Sequence, residues 1–289
     1  MIQDIKPHIY HNEYRPAPPE DRDLVFSFAG QKRQILLSED ENHIPRVENL
    51  PKTAREKLRY LFSLDGKNCF LYEDQEKPLT LGGFSYDGIK TLRRDGSDVL
   101  GFAGSTAWHL ATWYRKNVHC GVCGAVLVPG KKERCLVCPD CGNVVYPTIA
   151  PAVIIGITDG DRIVMTRYRG REYKGRALVA GFCEIGEEAE DTVRREAKEE
   201  TGLSVTNIRY VGSQPWGFDS NLLLGYFCDV TGDRTITRQE DELAACEWVA
   251  RRDITPDPNL LSLTATMIER FRTGTGEEGR RDGKISQGI

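Results

Sequence analysis

Two CxxC pairs, Cys120-x2-Cys123 and Cys138-x2-Cys141, stand fourteen residues apart, and each is followed by a glycine, Gly124 or Gly142. No other feature restricts the fold of this chain as severely. Two such turns bring four thiolates to one tetrahedral centre, the ligand set of a closed structural zinc site, so the segment between them has to fold back as a ribbon. A disulfide framework is the competing use of nine cysteines, but five lie within 120–141 and the other four are scattered. Cys135, the fifth, could replace Cys138 as a ligand only by spoiling the second CxxC, and is taken as a bystander. A centre closed by four thiolates keeps no open coordination position, so one Zn²⁺ per chain would serve structure and not chemistry.

A second constraint lies in the stretch GFCEIGEEAEDTVRREAKEETGL, residues 181–203. Positions 188–201 hold no Gly or Pro, and Gly202 stands where a helix C-terminus favours a left-handed residue, which predicts one short helix. On it Glu196, Glu199 and Glu200 fall at i, i+3 and i+4 and share a face, beside an apolar stripe of Ala189, Val193 and Ala197. Like charges so spaced destabilise a helix unless a cation lies between them, and clustered hard oxygens suit Mg²⁺ or Mn²⁺. A solvated acidic face is the alternative for a bare ExxEE.

At 289 residues the chain has room for about two domains of ~150 residues. It is 39% hydrophobic and 28% charged with a net charge of -4, which argues against wholesale polyanion wrapping and leaves nucleic-acid contact to local patches. The longest mostly apolar run, 149–157, is too short to span a bilayer and contains a proline, and no secretory signal is evident, so a cytoplasmic location with no membrane partner is expected. Strands are predicted at 23–29, 34–37 and 68–72 and helices at 53–63 and 105–115; further on, strands at 151–158 and 162–169 flank an Asp159-Gly160 hairpin turn. Strands at 177–181, 205–213, 221–230 and 246–250 and a helix at 260–272 follow. The expected organisation is an N-terminal α+β domain over 1–114, the ribbon over 115–147, an α/β/α sandwich over 148–272 and a disordered tail over 273–289.

Gly181, Glu187, Arg195, Glu196, Glu199, Glu200 and Gly202 have the spacing of a Nudix box. Just after it, Ser213-Gln-Pro-Trp-Gly-Phe-Asp-Ser220 resembles the SQPWPFPxS array of NADH pyrophosphatases within that superfamily, and the ribbon running into Tyr146-Pro147 resembles theirs as well. The resemblance covers residues from about 100 to 272. It implies a Nudix sandwich, an NAD⁺/NADH diphosphatase yielding nicotinamide mononucleotide and AMP, and a homodimer. It also implies catalytic Glu196, Glu199, Glu200 and Glu242; a divalent-metal set of these four with the Ala180 carbonyl; and substrate contacts from Gln214, Pro215, Trp216, Gly217, Phe218, Asp219, Ser220, Asn221 and Ala265.

Aromatic faces at Trp216 and Phe218 would stack a purine or nicotinamide ring, with packing on a sheet as the alternative. Two prolines of the family array are Gly217 and Asp219 here, a loss of two fixed φ angles and a gain of a carboxylate near a dianionic ligand; restoring both prolines is expected to tighten substrate binding, the alternative being that Asp219 accepts a hydrogen bond from the ribose or amide of the bound nucleotide, in which case Asp219→Pro weakens it. Arg195 reads as an orienter of carboxylates, since arginine stays protonated. Arg115, Lys116, Lys131, Lys132 and Arg134 around the ribbon could track the phosphates of an NAD-capped RNA, a substrate of bacterial relatives, or be solvated surface. Two other functions compete: a Nudix hydrolase of ADP-ribose or dinucleoside polyphosphates, and a non-catalytic zinc-ribbon regulator that binds nucleic acid.

Overall fold

The computed structural model describes residues 1–29, 32–40, 43–74, 78–93, 98–170, 175–239, 241 and 243–275. The chain divides into two compact units: one comprises Ile2–Ile149 with Trp216–Ser220, the other Ala150–Pro215 with Asn221 onward and Met1. No helix among the described residues is long and apolar enough to cross a membrane. The tail expected to be disordered lies outside the described residues from 276 on.

In the first unit the elements run β1 (Tyr10–His11), β2 (Leu24–Phe26), β3 (Phe28–Ala29), β4 (Gln34–Ser38), α1 (Lys52–Arg55), β5 (Leu58–Leu64), β6 (Lys67–Tyr72), β7 (Phe84–Gly88), α2 (Asp98–Lys116) and the ribbon strands β8 (Val128–Pro129), β9 (Leu136–Val137) and β10 (Val144–Val145). They form sheets ordered β1-β5-β6-β2, β3-β4-β7 and β10-β9-β8. The helix expected over 53–63 is overturned: α1 stops at Arg55 and Leu58–Leu64 is a strand paired antiparallel with β6. The reason is Asp65-Gly66, whose φ values of 51° and 71° make the tight turn that closes a hairpin and suits the right-handed twist of its strands. The aromatic and aliphatic side chains of β5 then bury Tyr60, Leu61, Phe62 and Leu64. The ribbon packs within this unit: Trp113 of α2 lies in one buried cluster with Cys120, Leu127, Leu136 and Cys138.

The second unit holds β11 (Ala150–Asp159), β12 (Arg162–Tyr168), β13 (Val179–Phe182), α3 (Ala189–Thr201), β14 (Ser204–Trp216), β15 (Asn221–Thr231), β16 (Leu243–Ala250) and α4 (Leu263–Thr273). Its mixed sheet is ordered β14-β15-β11-β12-β16, with β13 paired to β11. β11 runs parallel to β15, and its apolar run is buried on both faces, as inner parallel strands are. Alternation sorts the two layers. Val153, Ile155, Ile157, Tyr226 and Cys228 meet Val193 and Ala197 of α3, while Gly225 lies against Leu263 and Met267 of α4. Val193 is fully buried, worth about 1.5–3 kcal/mol on transfer from water, and a charge there would detach α3 from the sheet.

Candidate active site and zinc ribbon

The box helix α3 starts after Glu188 and ends on Gly202, which adopts φ 76° and donates its N–H to the Lys198 carbonyl, as the sequence led one to expect. The helix divides the three glutamates. Glu196 and Glu200 turn toward the sheet and are well covered, with Glu200 only 1% exposed, whereas the Glu199 side chain is 54% exposed. Arg195 binds the outer group: Nη1 donates to Glu196 Oε1 at 2.7 Å and Glu199 Oε2 at 3.0 Å, Nε donates to Glu187 Oε1 at 2.6 Å, and Nη2 to Glu187 Oε2 at 2.9 Å. This fork holds the Glu187 carboxyl down to about 2, helped by the Glu184 N–H and the Thr192 hydroxyl, and pushes the guanidinium up in turn. The role of Arg195 as an orienter is thus visible in its geometry.

Gly181 explains itself here. A Cβ on it would sit 2.0 Å from the carboxyl carbon of Glu196, so only glycine lets that carboxylate lie against β13. The inner group is built on Tyr168, at the end of β12. Its hydroxyl lies 3.2 and 3.3 Å from the two Glu200 oxygens and 3.4 Å from the Ala180 carbonyl, and accepts from the Ala180 N–H at 3.0 Å. Two of the oxygens expected to hold a divalent ion, from Glu200 and Ala180, therefore converge on one hydroxyl. Carboxylates and a carbonyl are the donor set Mg²⁺ or Mn²⁺ takes, so the chemistry of these residues fits such an ion. Tyr168 was invisible in the sequence, where it is one aromatic closing an ordinary strand. Glu242 lies outside the described residues.

The array after the box is divided between the two units. Gln214 is fully buried, and its amide bonds the Leu261 carbonyl at 2.8 Å and the Leu263 N–H at 2.7 Å, fastening the start of α4; Ala265, on α4, donates its N–H to the N-cap hydroxyl of Ser262. Pro215 is exposed, and Asn221 begins β15 with its Oδ1 buried and without a hydrogen-bond partner. Trp216–Ser220 groups instead with the first unit. There Phe218 is buried at 5% exposure and meets the Trp216 ring edge-on at 5.0 Å, so of the two aromatics it is Trp216 that keeps an accessible face. Ser220 takes φ 63°. A Cβ at Gly217 would lie 2.2 Å from the Ser105 carbonyl oxygen, which reverses the expected benefit of proline there: the glycine is required by close backbone approach. Asp219 is no uncompensated charge either, because Arg33 pairs with it at 3.2 Å.

The four ribbon cysteines form the one set of three or more Cys, His, Asp or Glu among the described residues whose ligand atoms all lie within 4.8 Å of one another. Their Sγ separations of 3.6 Å (Cys120 to Cys141) and 3.4 Å (Cys123 to Cys138) are far beyond a disulfide and near the ~3.8 Å spacing of thiolates at ~2.3 Å from a tetrahedral Zn²⁺. The knuckles are built alike. Gly124 and Gly142, at φ 80° and 74°, return their N–H groups to the carbonyls of Cys120 and Cys138. Backbone N–H groups of Cys123 and Val122 aimed at Cys120 lower that thiol to about 6, favouring the ligating thiolate. Cys135 is buried outside the set. Of the five basic residues, Arg134 bonds the Asn12 and Leu61 carbonyls and Arg115 lies over the Trp108 ring, whereas Lys116, Lys131 and Lys132 are exposed.

The NUDIX domain family matches residues 148–271, and the NADH pyrophosphatase zinc ribbon domain family matches residues 115–146. The chain is 31% identical over 229 residues to the NAD-capped RNA hydrolase NudC of Pseudomonas fluorescens, which covers 79% of this chain and 81% of that one. It is 32% identical over 266 residues to the NAD-capped RNA hydrolase NudC of Pseudomonas aeruginosa, over 89% and 87% of the two chains. A solved NUDIX hydrolase from Nitrosomonas europaea is similar at 16% identity and a TM-score of 0.44, over 54% of this chain and 93% of that one. The chain belongs to the Nudix hydrolases, and within them to the zinc-ribbon NADH pyrophosphatase family.

Proposed function

We propose that the protein hydrolyses the diphosphate bond of NADH or NAD⁺ to the nicotinamide mononucleotide and AMP, and removes the same group from the 5′ end of NAD-capped RNA. The observation that carries this is the buried Glu200 carboxylate meeting the Ala180 carbonyl at Tyr168, in a chain whose relatives are named NAD-capped RNA hydrolases. Glu196, Glu200 and the Ala180 carbonyl, with Glu199 and Glu242, would hold Mg²⁺ or Mn²⁺, which supplies charge neutralisation at the phosphates and a more acidic water.

The chain's own residues do the positioning. Arg195 fixes the carboxylates of Glu187, Glu196 and Glu199, and as a permanent cation it takes no part as an acid. Tyr168 holds the buried Glu200 carboxylate in place. Trp216 offers its ring to a base, and the unpaired Asn221 oxygen, which costs about 1–3 kcal/mol if left so, is suited to a ligand N–H or hydroxyl. Water's oxygen bonds to one phosphorus as the bridging P–O bond breaks; the departing phosphate keeps the electron pair, and a proton is released. Exposed Lys116, Lys131 and Lys132 are suited to RNA phosphates. A homodimer in the cytoplasm belongs to the same proposal, and light scattering tests the dimer.

AMP release from NADH, NAD⁺, ADP-ribose and diadenosine polyphosphates, and release of nicotinamide mononucleotide from 5′-NAD RNA to leave a 5′-monophosphate end, measured on zinc-loaded protein with Mg²⁺ or Mn²⁺, tests the substrate class. The NAD compounds are expected to have the highest kcat/KM. A preference for ADP-ribose or diadenosine polyphosphates would overturn the proposal.

A further inference from the structure

We propose that Arg33 is a positioning residue for substrate: through Asp219 it sets the orientation of the Trp216 ring. This rests on the proposed role of Trp216–Ser220 as a substrate segment. The segment has little to hold it in shape by itself. Gly217 brings no side chain, and the internal turn bonds are long, 3.3 Å from the Asp219 N–H to the Trp216 carbonyl and 3.4 Å from the Ser220 N–H to the Gly217 carbonyl. Fixing such a backbone costs about 1–2 kcal/mol per residue in entropy, so something outside the turn must hold it.

Arg33 and Trp108 do so. Arg33 Nη2 donates to the Phe218 carbonyl at 2.8 Å and to Asp219 Oδ1 at 3.2 Å, and Trp108 Nε1 donates to the same carbonyl at 3.2 Å. The other Asp219 oxygen, Oδ2, accepts from the Trp216 indole Nε1 at 3.2 Å. A connected path thus runs from guanidinium to carboxylate to indole. It fixes the direction of the indole N–H and with it the plane of the ring, while the Arg93 guanidinium lies 5.0 Å from the ring centroid. Arg33 is itself seated, with its guanidinium over the Trp108 ring at 5.9 Å. The same pairing neutralises the one carboxylate that this segment would otherwise present to a diphosphate.

Arg33 and Asp219 are both about half exposed, 51% and 52%, so the ion pair by itself is a weak contributor and the carbonyl bond from Arg33 the stronger one. Steady-state kinetics on NADH should reflect that order. Arg33→Ala is expected to raise KM about fivefold and Asp219→Asn about twofold, with kcat near wild type and the double variant no worse than Arg33→Ala alone. Arg33→Lys, which lacks the fork, should recover part of the loss. Trp216→Ala is the control for the underlying assignment: if it leaves KM unchanged, the segment does not bind substrate and the proposal falls with it. If Trp216→Ala raises KM but Arg33→Ala and Asp219→Asn do not, the assignment stands and the positioning role is refuted. A raised KM in Arg33→Ala beside a lowered KM in Asp219→Asn would mean that Arg33 acts on the phosphates directly, which also overturns it. Should Arg33→Ala lower the melting temperature, Asp219→Asn and Arg33→Lys carry the same test.

Discussion

The ribbon and the Trp216–Ser220 segment are held in opposite ways. Four ligands within 22 residues close the ribbon, and two equivalent turns, each with a glycine returning its N–H, set the thiolates at near-tetrahedral spacing. Its geometry is local. The segment after the box is held by Arg33 and Trp108, 185 and 110 positions away in sequence from the carbonyl they share. Its geometry is borrowed. Where backbone and ligand spacing suffice, sequence determines a site; where distant side chains hold it, the motif marks the place but not the conformation. The box helix lies between, with local spacing for Glu196, Glu199 and Glu200 but a distant partner, Tyr168, for the buried one.

Substitutions can strain this contrast. The largest effect is expected at Glu200, where Gln keeps size and removes charge: kcat for AMP release from NADH should fall about 100-fold or more, as when one preorganised electrostatic group is lost. Near-normal turnover in a folded variant would place the chemistry elsewhere. Next, Cys138→Ser should lose zinc and cooperative unfolding together, because structural zinc binding is folding free energy, whereas Cys135→Ser should keep both. Equal zinc loss in the two by elemental analysis would mean that the ribbon is not as local as its spacing.

Gly217→Pro should cost about 1–3 kcal/mol in chemical denaturation and raise KM, since its ring has to displace the Ser105 backbone. An unchanged midpoint would show that the segment shifts freely. The smallest effect concerns pH. Glu187 titrates at about 2 in the fold against an ordinary 4.5, so its pairing with Arg195 stabilises fully above about 4.5 and is lost as pH falls toward 2. Glu187→Gln should therefore melt below wild type at pH 6 and approach it near pH 2. A gap that persists unchanged at pH 2 would exclude this ion pair as its source.

Much of the second unit was legible because its signals are periodic: the apolar run of β11, the hairpin at Gly160, and the helix ending on Gly202. The ribbon followed from cysteine spacing alone. The sequence misled at 53–63, where helix formers outweighed an Asp65-Gly66 turn that rewards strand pairing. It was silent on Tyr168, Arg33 and Trp108, because nothing in a lone tyrosine, arginine or tryptophan states which oxygen it will meet. Gln214 shows the converse: its place in the array after the box is plain in sequence, but not that its amide bonds the backbone at Leu261 and Leu263 where α4 begins.

The central claim is that the carboxylates of α3 hold the catalytic cation, apart from the ribbon zinc. Mn²⁺ titration of zinc-loaded protein, followed by electron paramagnetic resonance in wild type and Glu200→Gln, tests it most directly. Wild type is expected to bind Mn²⁺ and the variant to lose about 10-fold or more in affinity with its zinc content intact. Equal Mn²⁺ affinity in the two proteins would contradict the claim.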